Sequence, residues 1–288
     1  MQNDGELRLP VLFCYSRPVP KIPQFHNEKP LGERQDLNYN WNWKIFFEMS
    51  ADGRHTWLAT LFIGLGWTLL TAFCAGIIAL LLGSVLGVMR TTPNKWAVRF
   101  GNAYVEFFRN IPLLVQLFLW FFVLPELLPK ALGTAIKQMT PPWASFVPAV
   151  IGLGLFTAAR VSEQVRAGIQ TLPRGQRFAG TALGLTLPQT YRFVLLPMAY
   201  RIILPPLTSE TMNLIKNTSV ALTIGLVELT AAARSMQEFT FQVFEAFTAA
   251  TVIYIVVNLI VVNLMRWLEK SVAVPGFIGP ANVGGGGH

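Results

Sequence analysis

No Asp, Glu, Lys or Arg occurs between His55 and Met89. About 20 apolar residues cross a hydrocarbon layer of about 30 Å, and two crossings joined by a turn need more than twice that. The run therefore holds one long or tilted helix, and a chain with such a helix folds in lipid. Composition agrees. Charged side chains make up 13% of the sequence and hydrophobic ones 52%, whereas a soluble domain carries about 25% charged residues. Further apolar stretches follow, so the expected fold is all-α: a polytopic membrane protein of about five transmembrane helices. The spans fall at about 57–89, 104–128, 143–159, 200–222 and 243–265 within a membrane domain of residues 55–270.

The net charge of +8 would point to nucleic acid in a soluble protein. Here basic loops explain it, because Lys and Arg collect on the cytoplasmic side of membrane proteins. Arg90, Lys95 and Arg99 follow the first span, and Arg160, Arg166, Arg174, Arg177, Arg192 and Arg201 follow the third. Arg266 and Lys270 close the fifth. Against these stand Lys130 and Lys137 after the second span and Arg234 after the fourth. The distribution places residues 160–199 and the C-terminus in the cytoplasm and the N-terminus outside. Residues 1–54 read as a polar, mostly irregular tail on the outer side, in which Tyr39–Phe47, "YNWNWKIFF", lies at the membrane surface, where Trp and Tyr collect. Residues 271–288 read as a C-terminal tail, and its "GGGGH" as a tag remnant.

The loop between the third and fourth spans breaks the membrane pattern. Thr186-Leu187-Pro188-Gln189 carries the marks of a helix start: a Thr cap, a Pro in the first turn and a Gln three residues on. Upstream, "TLPRGQRFAGTAL" forms a short helix that stops at Gly184. Two short helices thus meet at Gly184, with apolar residues (Ala179, Leu183, Leu185, Phe193) among cations, which is a docking surface for another protein. A loop packed only on its own spans is the competing reading.

This segment resembles the EAA loop of permeases in ABC importers, whose pattern is Glu-Ala-Ala, three residues, Gly, nine residues, an aliphatic, one residue and Leu-Pro. Ala179, Gly184, Val194 and Leu196-Pro197 match it, while Phe178 replaces the glutamate and Gly180 the second alanine. "VEFFRNIPLLVQLF" (Val105–Phe118), "SEQVRAGIQTLPRGQ" (Ser162–Gln176) and "MNLIKNTS" (Met212–Ser219) are similar to the segments that flank that loop in polar amino-acid permeases. With "NWNWKIFF" and "LFTAARV" they are closest to the glutamate/aspartate-type permease subunit, over roughly residues 41–268.

The resemblance implies a type I importer permease of the bacterial inner membrane, with residues 160–199 as a cytoplasmic coupling-helix loop. A separate ATPase dimer, holding ATP and Mg, would grip Arg177, Phe178, Ala179, Gly180, Leu183, Gly184, Leu185 and Pro188. A second permease, favoured as a different chain rather than a copy, would complete the path, and an external binding protein would deliver the amino acid. No cofactor, metal or nucleic acid is expected on this chain. The sequence contains no G-x-x-x-x-G-K-[ST] phosphate loop, so it is expected to transport rather than catalyse.

Polar groups at membrane depth are the candidate substrate path: Gln116 on the second span and Glu210, Asn213 and Lys216 on the fourth. Glu163 and Arg166 are spaced as a helical ion pair, as are Glu106 and Arg109. Two other classes fit less well. A membrane enzyme would need catalytic groups at one depth, yet His26, His55 and His288 are scattered. An ion-coupled secondary transporter, the alternative, would show an internal repeat, and none is visible.

Overall fold

The charge-free run forms a single helix, α1 (Trp57–Met89), in the computed structural model, which describes residues 39–272. Thr56 caps it by accepting from the Ala59 amide at 3.3 Å. At 1.5 Å per residue its 33 residues span about 50 Å, well beyond a hydrocarbon core. Two more helices are long and apolar enough to cross a membrane, α6 (Trp143–Thr171) and α11 (Val243–Val272). Two further crossings are bent pairs, giving five in all if each pair counts as one. Among the described residues the only departure from helix and turn is an isolated bridge between Met49 and Thr56.

The spans differ from the sequence expectation in ways that have local causes. The second, expected over 104–128, is broken. α2 (Lys95–Asn110) ends before Ile111-Pro112, and the chain turns through 102° into α3 (Leu113–Phe118), a π-helical turn (Leu119–Val123) and α4 (Leu124–Leu127). Ile111 is extended at ψ 128°, as a residue before proline must be. A short helix, α5 (Lys130–Lys137), leads to the third span. That span, expected to stop near residue 159, continues as α6 to Thr171, because charge ends a hydrophobic run without ending a helix. Leu172-Pro173 ends it.

After α7 (Arg174–Ala182), the fourth span begins with α8 (Leu187–Thr190), at residue 187 rather than 200. It continues without a break through a π-helical turn (Tyr191–Leu195), α9 (Leu196–Asn217) and a 3-10 turn (Thr218–Ile224). α10 (Leu229–Thr240) follows at 50°. Both π turns have one cause. Pro125 and Pro197 lack the N–H that would close an ordinary turn. The preceding residues, Leu124 and Leu196, instead donate five residues back, to the Leu119 and Tyr191 carbonyls.

Packing centres on α1 and α6, which run parallel in close register. A Cβ on Gly83 would sit 2.7 Å from the Val161 Cβ, and one on Gly87 2.7 Å from the Val165 Cβ. These small residues form the seam of the α1–α6 contact. Leu117, Leu153, Leu214, Ile224 and Ala75 form a buried cluster where α1, α3, α6 and the fourth span meet.

The expected tail is shorter than residues 1–54. Residues 1–38 and 273–288, the latter including the tag remnant, lie outside the described residues. From residue 41 on, the chain packs on the membrane domain. Ile45 is buried with Trp57, Leu61, Leu229 and Ala246, and the Asn42 amide donates to Glu245 at 2.8 Å. Trp41 and Trp43 stack at 5.8 Å and stay half exposed. Hydrogen bonds from the His55 ring and the Ser50 hydroxyl hold the Asp52 carboxyl well below the usual carboxylate range and close the turn that starts α1.

Candidate functional site

The predicted elbow forms. α7 ends with Gly184 at φ +75°, the left-handed conformation that glycine adopts freely. The Leu185 amide donates to the Gly180 carbonyl at 3.1 Å and the Gly184 amide to Thr181 at 3.0 Å, which satisfies the last carbonyls of α7. On the far side Gln189 Oε1 accepts from the Thr186 amide at 2.8 Å, the predicted helix start. Gly180, which stands where the family pattern has alanine, has a structural reason: a Cβ there would lie 2.8 Å from Thr190 Cγ2. Thr190 is buried under α7, so the two short helices close on each other like a hairpin.

The outer side of this hairpin is open. Phe178 is 69% exposed and Leu183 80%. Ala179, Gly184 and Pro188 are exposed and Leu185 is half-buried. Arg177 belongs to α7, but its side chain lies outside the described residues. Two large apolar side chains thus stand uncovered on a braced hairpin, an apolar patch of the kind that partners cover. Where the hairpin leads into the fourth span it is fastened to the turn after α1: Tyr191 Oη donates to the Thr91 carbonyl at 2.8 Å, with Thr91 Oγ1 at 3.2 Å.

The sequence-predicted ion pairs re-partner. Glu163 does not pair with Arg166, nor Glu106 with Arg109, among the described residues. Instead Glu163 Oε1 accepts from Arg90 at 3.0 Å and from Arg109 at 3.3 Å, joining α1, α2 and α6. Arg90 is 7% exposed and also donates to Asn102 at 2.8 Å and Ser162 at 3.3 Å. A buried cation is tolerated only when so many acceptors surround it. Spacing along one helix misses this, because the partners come from helices far apart in sequence. Arg166 packs beside the same cluster, and Glu106 is exposed.

The four path candidates do not come together. Gln116 is 2% exposed and its amide donates to the Phe108 and Ile111 carbonyls at 2.8 and 2.9 Å, so it braces the α2–α3 turn. Lys216 lines a groove between α9 and α11 with Met212, Tyr254 and Asn258. Asn213 is half-buried on α9. Glu210 faces a different cleft, lined by Arg109, Phe156, Arg160, Glu163 and Gln164. Its Oε2 is shielded from solvent and accepts no hydrogen bond among the described residues. Arg160 Nη1 lies 3.7 Å from it and stacks over the Phe156 ring at 5.1 Å. Two guanidinium groups and one under-satisfied carboxylate thus line a single cleft. Arg160 is legible in the sequence only as a cytoplasmic loop cation, because the hydropathy drop there masks the helix that carries it.

A bundle of five apolar crossings with a braced, apolar hairpin at one end is the architecture of a transport-system permease. Residues 79–274 match the family described as binding-protein-dependent transport system inner membrane component, and the chain belongs to that family. It is 48% identical over 244 residues to the glutamate/aspartate import permease protein GltJ of Escherichia coli K12, covering 84% of this chain and 99% of that one. It is 32% identical over 217 residues to the glutamate/aspartate import permease protein GltK of Escherichia coli O6:H1, covering 75% and 95%. A crystal structure of an amino acid ABC transporter with histidines matches at a TM-score of 0.62 and 31% identity, over 75% of this chain and 95% of that one. These relatives are ABC-type permeases, which favours that reading over the ion-coupled alternative.

Proposed function

We propose that this chain is one of two permease subunits of an ATP-driven importer of acidic amino acids in the bacterial inner membrane, with its N-terminus outside and its C-terminus in the cytoplasm. The observation that carries the reading is the braced hairpin at Gly184, with Phe178 and Leu183 held open to a partner. ATP and Mg belong to that partner, a cytoplasmic ATPase dimer. Its closure pushes the hairpin and, through Tyr191 and Thr91, moves α1 and the fourth span together. An apolar Phe178 in place of the family's glutamate calls for an apolar seat on the ATPase.

The second subunit is a different permease. One Escherichia coli strain, O6:H1, carries two glutamate/aspartate import permease proteins, GltJ and GltK, which resemble this chain to different degrees. An external binding protein delivers the substrate. In the cleft, Arg109 and Arg160 suit the carboxylates of an acidic amino acid, and Glu210 suits its ammonium. Asn213 and Lys216 extend the path along α9, whereas Gln116 serves it by fixing the α2–α3 turn.

Uptake of labelled glutamate, aspartate and a neutral amino acid in a strain lacking the chain tests this. A plasmid copy restores the two acidic substrates. A copy carrying Arg160→Ala transports them about tenfold less well or worse, the effect of one lost charge-assisted contact. Restored uptake of the neutral substrate alone overturns the acidic assignment, and unchanged uptake of all three in the deletion strain overturns the function.

A further inference from the structure

The 102° turn at Ile111-Pro112 takes α2 out of the second span. α2 crosses two parallel helices at the level where each meets its first charge: Gly101 lies against Arg90 at the end of α1, and Val105 and Phe108 pack on Ala159, next to Arg160, in α6. This is the depth of the membrane–water boundary on the side that bears the hairpin.

Around the axis of α2 there are three sectors, at 3.6 residues per turn. Gly101, Val105 and Phe108 are buried against the bundle. Asn102, Glu106 and Arg109 fall on a polar face with Lys95 and Arg99. The third sector is aromatic and uncovered: Trp96 is 76% exposed, Phe100 61% and Phe107 56%. Arg99 sits over the Trp96 ring at 5.4 Å. Apolar rings along one edge with cations beside them is the pattern of a helix lying in the plane of a membrane interface, its rings among the acyl chains and its cations among the headgroups. We propose that α2 is an in-plane helix that engages anionic phospholipid through Lys95 and Arg99, with Trp96, Phe100 and Phe107 seated below the headgroups. Lys95 and Arg99 also border a surface groove with Thr92 and Asn102, which Glu106 lines as well. Glu106 is the one acid on that face and lies about two turns beyond Arg99, so the two cations at the start of the helix carry the headgroup contact. Arg109, at the other end, is bound to Glu163, so α2 ties the lipid surface to the buried cluster of Arg90. The inference does not depend on the substrate.

The test uses the assembled transporter in nanodiscs of phosphatidylcholine and phosphatidylglycerol at 3:1, with one lipid or the other brominated high in its acyl chains. Trp96 fluorescence is the part lost in Trp96→Phe. The expected result is quenching of that part by both lipids, more strongly by brominated phosphatidylglycerol at equal mole fraction. Each of Lys95→Glu and Arg99→Glu reduces that preference by about fivefold. Equal quenching by the two lipids, unchanged in both variants, overturns the anionic-lipid assignment. No quenching means that a second protein subunit covers the aromatic stripe, which overturns the proposal outright. Phe100→Trp on the Trp96→Phe background repeats the reading one turn along, should the first variant assemble poorly.

Discussion

At the scale of single residues, the chain concentrates its polar chemistry where helices break. Glu228 is fully buried between the fourth span and α10. Its carboxylate accepts from the Ala231 amide at 2.8 Å, the Thr230 amide at 3.0 Å and Tyr254 Oη at 2.9 Å, so it caps α10 and pins α11 at once. Glu228→Ala takes the acceptor from the Thr230 and Ala231 amides and from the Thr68 and Tyr254 hydroxyls, at about 1–3 kcal/mol for a buried unpaired group, though losses within one network do not add. Glu228→Gln keeps one carbonyl acceptor. Thermal unfolding in nanodiscs should show a clearly lower Tm for the alanine variant and a smaller drop for the glutamine variant. A larger loss in Glu228→Gln than in Glu228→Ala would contradict the capping role. Residues of this kind are the least legible in a sequence. Glu228 reads as one more loop acid, and Arg90 as one more flanking cation, because the groups that satisfy them come from elsewhere in the chain.

At the scale of elements, the α1–α6 seam sets how closely the bundle packs. Gly83→Ala forces a Cβ against Val161 and the Ala158 carbonyl, at 2.7 and 2.8 Å, and overpacking of this kind costs about 1–3 kcal/mol. Gly66→Ala on the same helix meets nothing within 4 Å and should leave stability unchanged or improved, since alanine favours the helix. Unfolding curves of the two variants, compared with each other, separate close packing from helix propensity; equal midpoints would count against the seam. The four-residue spacing of Gly83 and Gly87 marks a helix face open to close contact, but not the helix that fills it. Span existence was equally legible, since hydropathy reports burial in lipid. Span ends were not. Hydropathy falls at residue 159 while the hydrogen-bonded ladder of α6 runs on to Thr171, and it stays high across Ile111-Pro112 while the helix turns. The boundary signals that did succeed, the stop at Gly184 and the start at Pro188, are steric and act within a few residues. That is why the hairpin was readable and the cleft, assembled from α2, α6 and α9, was not.

At the scale of the molecule, the assembly reading separates into two measurable steps, docking and transmission. Phe178→Asp with Leu183→Asp removes the apolar face, and should abolish copurification of an ATPase polypeptide while the second permease still accompanies the chain. Gly184→Val strains a φ of +75° at about 1–2 kcal/mol or more, and should leave the protein in the membrane with uptake lost. Full uptake by both variants would remove the hairpin from the mechanism. Transmission has a particular route. α1 outruns the thickness of a bilayer, and the turn that follows it is tethered by the Tyr191 phenol at Thr91. On the proposed reading one hydroxyl is a tie-rod: thrust delivered to the hairpin would reach, through Thr91, a single unbroken helix that ends at Trp57.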